Sequence, residues 1–309
     1  MCSGIDSMIK RIVEITRASW ISLKDRQLVV EQDSKVVAKV PIEDLGILLL
    51  AHPANVITQQ ALMACQQADV AVVLCDEKYL PLSLILPLAG STLHTATLLM
   101  QIKVKPQTTR ALWRDIVIAK ISAQSRHLAV QGKKAKHLEV MALRVSEEDA
   151  GGKEAQAAAY YWRELLGPEF RRDKNGKDIN ALFNYGYAIL RACVARAIVG
   201  TGLHPALGIF HHNRSDNFAL ANDLMEPFRP LVDWLAMKEW NRGNHEVDPA
   251  SKRVMLEALS GEVSFSGQSL PLWVAMQRYA HSVKLVLSGD VKAVEVPIWH
   301  FSADTEPCG

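Results

Sequence analysis

The chain has 309 residues, 49% of them hydrophobic and 22% charged, with a formal net charge of +2. That length and apolar fraction allow one large domain or two ordinary ones with a sizeable core, and they exclude wholesale disorder and a collagen-like fibre. The five cysteines (Cys2, Cys65, Cys75, Cys193, Cys308) form no CxxC pair, which argues against a disulfide framework or a zinc ribbon and fits reduced thiols in a cytoplasmic protein.

The opening MCSGIDSMIKRIVEIT lacks the apolar core of a secretory signal. RIVEIT, SWISLK, QLVVEQ and KVVAKV follow as short strand-like runs, with tight turns at Lys24-Asp25-Arg26 and Asp33-Ser34. GILLL (46–50) and VAVVLC (70–75) are further buried strands, and TQQALMACQQ (58–67) is helical. Residues 79–102 carry no Asp, Glu, Lys or Arg, but Pro81, Pro87, Gly90 and several Ser, Thr and His residues make a membrane span too costly. A strand end followed by an interdomain helix is expected there.

From residue 108 the period becomes 3.6, with Thr108 or Thr109 as N-cap of TRALWRDIVIAKISAQSRHL. The stretch 131–152 is polar and interrupted by Gly132, Gly151 and Gly152. A helix over EAQAAAYYWRELL stops at Gly167-Pro168, a basic loop (171–178) follows, and 179–200 reads as a long buried helix. Further helix follows ALANDLMEPFRPLVDW, and the chain ends in a weakly structured tail. The expected fold is α+β: an N-terminal β domain over 1–85, a linker with a helix over 86–107, and a larger all-α domain over 108–309. There is no internal repeat and no low-complexity segment.

Charge is unevenly spread. Residues 101–140 hold nine Lys and Arg against two acids, a local +7, while residues 1–100 hold eight basic and ten acidic side chains. The +7 stretch is either a phosphate-binding surface or a solvated helix face.

Three places carry chemistry. Glu154 shares a helix face with Ala158, Tyr161, Trp162 and Leu165, and a carboxylate on an inward face needs a cation, a donor or a proton. Alternatively it only complements the dipole of the first turn. His211 and His212 end an apolar run and point in different directions, so at most one serves a given site. Asp223 and Glu226, spaced i and i+3, share a helix face that is either solvated or turned inward. One imidazole with two or three carboxylates suits Mg²⁺ or Mn²⁺ rather than a thiolate zinc site.

EAQAAAYYW (154–162), NALFNYGYAILR (180–191), LGIFHHNRSDNFAL (207–220) and NDLMEPFRPLVD (222–233) resemble the CRISPR-associated adaptation endonuclease and integrase, Cas1, and are most similar to its type II branch. The resemblance is strongest over 150–235. It is weaker over 107–121 and the β-rich start, where Met8-Ile9-Lys10-Arg11 looks like a family beginning. It implies an N-terminal β domain that dimerises and a helical catalytic domain. It also implies Glu154, His211 and Glu226 as catalytic metal ligands for Mg²⁺ or Mn²⁺, with Asp223 supporting; Ala155 stands where glycine is common. The implied activity is antiviral DNA integration: a spacer 3′-hydroxyl attacks a phosphodiester of a CRISPR repeat, and water in its place gives a nuclease. Double-stranded DNA, a second copy of the chain and the small protein Cas2 are the implied partners, with no membrane. Arg171, Arg172, Lys174 and Lys177, together with the +7 stretch, are candidates for DNA phosphate contacts. A structure-specific nuclease of branched DNA and a non-catalytic DNA-binding scaffold are the alternatives. The nuclease would give only shortened strands, and the scaffold would need no metal.

Overall fold

The computed structural model describes residues 11–76, 81–87, 93–259 and 261–301. The family-like start at Met8, the terminal tail, Cys2 and Cys308 lie outside these residues.

Every front-end run read as a strand is one. β1 (Arg11–Ile15), β2 (Trp20–Lys24), β3 (Gln27–Gln32), β4 (Lys35–Pro41) and β5 (Leu45–Leu50) lead through the short β6 (Val56–Ile57) and α1 (Gln59–Gln67) to β7 (Ala71–Cys75) and β8 (Pro81–Ile85). Thr58 caps α1 by accepting from the Ala61 N–H. The two hairpins close on Asp25-Arg26 and Asp33-Ser34, all four residues at positive φ, which matches the twist of the flanking strands. They build an antiparallel meander, β4-β3-β2, with β6 added parallel to β2.

A second sheet runs β1-β5-β7-β8, parallel except for β8. Its central strands are buried on both faces, as continuous apolar runs in a parallel sheet require. Ile47, Leu49, Ala71 and Val73 face the helical body. Leu48, Leu50, Val70 and Val72 face a smaller core with Ile21, Leu28 and Val30 of the meander and Ala61 and Cys65 of α1. The sheet is therefore a wall shared by two cores.

The helices follow as α2 (His94–Ile102), α3 (Pro106–Val130), α4 (Lys136–Ala142), α5 (Lys153–Leu166), α6 (Ile179–Gly200), α7 (Ala219–Leu224), α8 (Arg229–Asn241) and α9 (Pro249–Ala258). α3 begins two or three residues before the expected threonine cap. Pro106 occupies its first turn with Lys105 as N-cap, since proline is preset for the helix and needs no N–H there. The polar stretch before α5 contains α4, with Leu138, Met141 and Ala142 buried.

The C-terminal region is not entirely helical. β9 (Glu262–Phe265) and β10 (Gln268–Pro271) form a hairpin around Ser266-Gly267, both at positive φ, before α10 (Leu272–Ser288). α6 is the one described helix long and apolar enough to cross a membrane, and most of it is buried in the protein. Burial raises the Cys65 and Cys75 thiols to about 11 and Cys193 to about 12, so all three are unreactive packing groups.

Candidate active site

Glu154 stands in the first turn of α5, yet the helix N-terminus is satisfied by another acid. Asp149 accepts from the Lys153 N–H at 2.7 Å and the Glu154 N–H at 2.8 Å. The Glu154 side chain is thereby free to turn inward, where its Oε1 lies 2.5 Å from Lys120 Nζ of α3. Lys120 also reaches Glu226 Oε2 at 2.5 Å, and Arg229 Nε reaches Glu226 Oε1 at 2.8 Å.

Glu226 lies at the junction of α7 and α8, with 5% of its side chain exposed. Burial alone would push its carboxyl up, but Arg229 and Lys120 hold it below its ordinary value. Burial would likewise depress Lys120, and Glu226 and Glu154 reverse that and raise it. The neighbouring opposite charges favour the charged forms of Glu226 and Lys120.

Asp223 is completely buried in α7 and organises the loop that carries His211. Its Oδ2 accepts from the Ile209 N–H at 2.6 Å and the Phe210 N–H at 3.0 Å, and its Oδ1 accepts from His211 Nδ1. That contact raises the imidazole pKa and leaves the second ring nitrogen for a ligand or a proton. The turn needs Gly208, because a Cβ there would collide with the His211 carbonyl oxygen. Phe210 stacks on Trp113 of α3 at 4.4 Å, and His211 meets the edge of the same indole system at 5.8 Å. His211 has 46% of its side chain exposed and Glu154 28%, so a phosphate can approach both. His212 is exposed beside it.

The three expected ligands therefore come together as two plus one. Glu154 and Glu226 share a cation, while His211 stays with Asp223. Among the described residues no three His, Cys, Asp or Glu side chains form a ready metal cage. The donor chemistry still fits a hard divalent ion: two carboxylates and an imidazole. Glu226 Oε2 fits as well, since it is buried with only the Lys120 charge against it and no aligned hydrogen bond.

The basic residues divide. A cavity of about 450 Å³ opens beside His211 and is lined by Arg172, Lys174, Asn184, Arg191 and Arg229. Arg172 is held there by Asn180 Oδ1 at 2.9 Å and Asn184 Oδ1 at 2.6 Å, with its guanidinium over Phe183 and Tyr187. Arg171 turns to the carbonyls of Pro168 and Phe170 and lines a different cavity. Lys177 is exposed and lines neither. The +7 stretch is not one surface: Lys120 points into the core, Arg110 pairs with Glu148 and Arg114 with Asp115, and Lys133, Lys134 and Lys136 lie beyond the far end of α3.

Sequence reasoning missed Arg191 and Arg229, and it counted Lys120 only as surface charge. The signal for Lys120 was present. It lies on the same stripe of α3 as Ile116, Val117 and Ile121, where a cation needs a buried anion.

A family model described as "CRISPR associated protein Cas1" matches residues 13–259. The CRISPR-associated endonuclease Cas1 of Neisseria meningitidis serogroup C (strain 8013) is 32% identical over 295 residues, 94% of this chain and 96% of that protein. Among solved structures, a casposase bound to its integration product superposes with a TM-score of 0.78 at 18% identity, covering 96% of each chain. A Cas6-RT-Cas1–Cas2 complex superposes with a TM-score of 0.73 at 19% identity, covering 93% of this chain and 36% of that one.

Proposed function

The chain belongs to the family of CRISPR-associated Cas1 proteins, and from this premise we propose that it is a DNA endonuclease and integrase dependent on Mg²⁺ or Mn²⁺. The 3′-hydroxyl of a short foreign fragment attacks a phosphodiester of a CRISPR repeat; a new P–O bond forms, the repeat strand's own P–O3′ bond breaks, and its 3′-oxygen leaves as a hydroxyl. The observation that carries this reading is the convergence of Glu154 and Glu226 on a single cation position, next to a solvent-open histidine held by a buried aspartate.

Glu154 and Glu226 would hold the metal, with His211 as the third donor. A divalent ion bound there supplies Lewis-acid polarisation of the phosphate and offsets charge on the oxygens of the transfer. Asp223 fixes the His211 ring so that one nitrogen faces the site. Arg229 keeps Glu226 ionised in its buried position. Arg172, Lys174 and Arg191 line the cavity beside His211 and would hold DNA phosphates without reading sequence.

A homodimer formed through the β domain is part of the same proposal. Its support is the exposed apolar surface of the meander, Trp20 on β2 and Val36 and Val37 on the edge strand β4. Assembly with Cas2 is proposed from the solved complex of that description. The reading implies a cytoplasmic protein.

The test is strand joining. A labelled duplex with free 3′ ends and a plasmid carrying the repeat are incubated with the protein, its Cas2 partner and Mn²⁺. Joined product is expected from the unmodified protein and none above background from Glu154→Gln or Glu226→Gln. Shortened strands without joined product would favour a nuclease and reject the integrase.

A further inference from the structure

Lys120 leaves the buried face of α3, and only 9% of its side chain is exposed. Its ammonium stands 2.5 Å from Glu154 Oε1 and 2.5 Å from Glu226 Oε2. A lysine so buried is tolerated only because both carboxylates surround it. A divalent ion bound to those same two oxygens would sit about 2.0–2.2 Å from each. It would therefore fall within the volume the ammonium fills, and the two cations exclude one another. Arg229 does not compete, because it engages Glu226 through the other oxygen.

We propose that Lys120 is the built-in counter-cation of the metal-free site: its ammonium holds Glu154 and Glu226 together until a divalent ion displaces it. The inference rests on the reading of these two acids as metal ligands. Without the metal, Lys120 sits between the two carboxylates and offsets their mutual repulsion. When the metal binds, the ammonium has to leave both oxygens, so affinity is set by competition with a lysine of the same chain. Lys120 is thus a positioning residue that acts through the two acids.

The test is calorimetric titration of Mn²⁺ into the full-length protein without DNA, for the unmodified chain and for Lys120→Met, Lys120→Gln, Lys120→Arg and Glu154→Gln. Lys120→Met and Lys120→Gln are expected to bind Mn²⁺ about tenfold more tightly, equivalent to about 1.4 kcal/mol. Lys120→Arg, which keeps the competing charge, stays close to the unmodified affinity. A damaged fold cannot produce tighter binding, and if the Met variant does not fold, the Gln variant carries the measurement. If Glu154→Gln loses Mn²⁺ binding while neither neutral Lys120 variant binds more tightly than the parent, the competition proposal alone is overturned. If Glu154→Gln binds Mn²⁺ as the parent does, the metal reading falls and the proposal falls with it.

Discussion

Two buried aspartates show what single side chains contribute. Asp223 accepts two backbone N–H groups and the His211 ring from a position with no solvent. An asparagine cannot accept all of these, so Asp223→Asn is expected to cost about 3 kcal/mol in denaturant titration. A surface acid would cost less than about 0.5 kcal/mol, and that result would contradict the structure. Asp233 of α8 takes hydroxyl hydrogen bonds from Tyr161 and Tyr187. Burial, opposed by those bonds, pushes its carboxyl up from 3.8 to about 7. The folded state then holds its proton longer than the unfolded state does, so its contribution is largest below 3.8 and declines as pH rises to about 7. The stability of the parent relative to Asp233→Asn, fixed in the neutral form, should fall across that window. A difference that stays flat with pH would mean that Asp233 titrates normally.

The elements were legible wherever their period was clean. β1 to β5, β7, α5 and α6 agree with their sequence patterns to within one or two residues, because alternation, short continuous apolar runs or a helical stripe marks each of them. The β9–β10 hairpin was not legible: its strands have four residues each, and its Ser-Gly turn was the only cue. The site was legible in part. The inward stripe of α5 pointed to Glu154, but spacing alone could not show that its partner cation would come from α3, 34 residues earlier. Close packing of α6 on its neighbours depends on Gly186, where a Cβ would lie 2.5 Å from Val232 and 2.6 Å from Met255. Gly186→Ala should lower stability by about 1–3 kcal/mol through overpacking, read as a fall in Tm. An unchanged Tm would show that α8 and α9 can yield.

Across the whole molecule, the shared sheet couples the two cores. Arg196 of α6 donates to the Asp69 carbonyl just before β7 and lies 4.2 Å over the Trp273 ring of α10. Net charge gave no guide to this basic cavity, since the basic side chains around His211 come from the 171–178 loop, α6 and α8, which only folding brings together. Double neutralisation of Lys174 and Arg191 should reduce the salt-dependence slope of DNA affinity by about 2. The same slope in the variant would remove that cavity from the DNA path. The proposed function requires Glu154 and Glu226 to share one divalent cation. It is tested most directly by an anomalous difference map from crystals soaked in Mn²⁺. A single strong peak between these two carboxylates is expected, with the Lys120 ammonium moved away from both; a peak elsewhere, or Lys120 still seated between them at saturating Mn²⁺, would rule the shared site out.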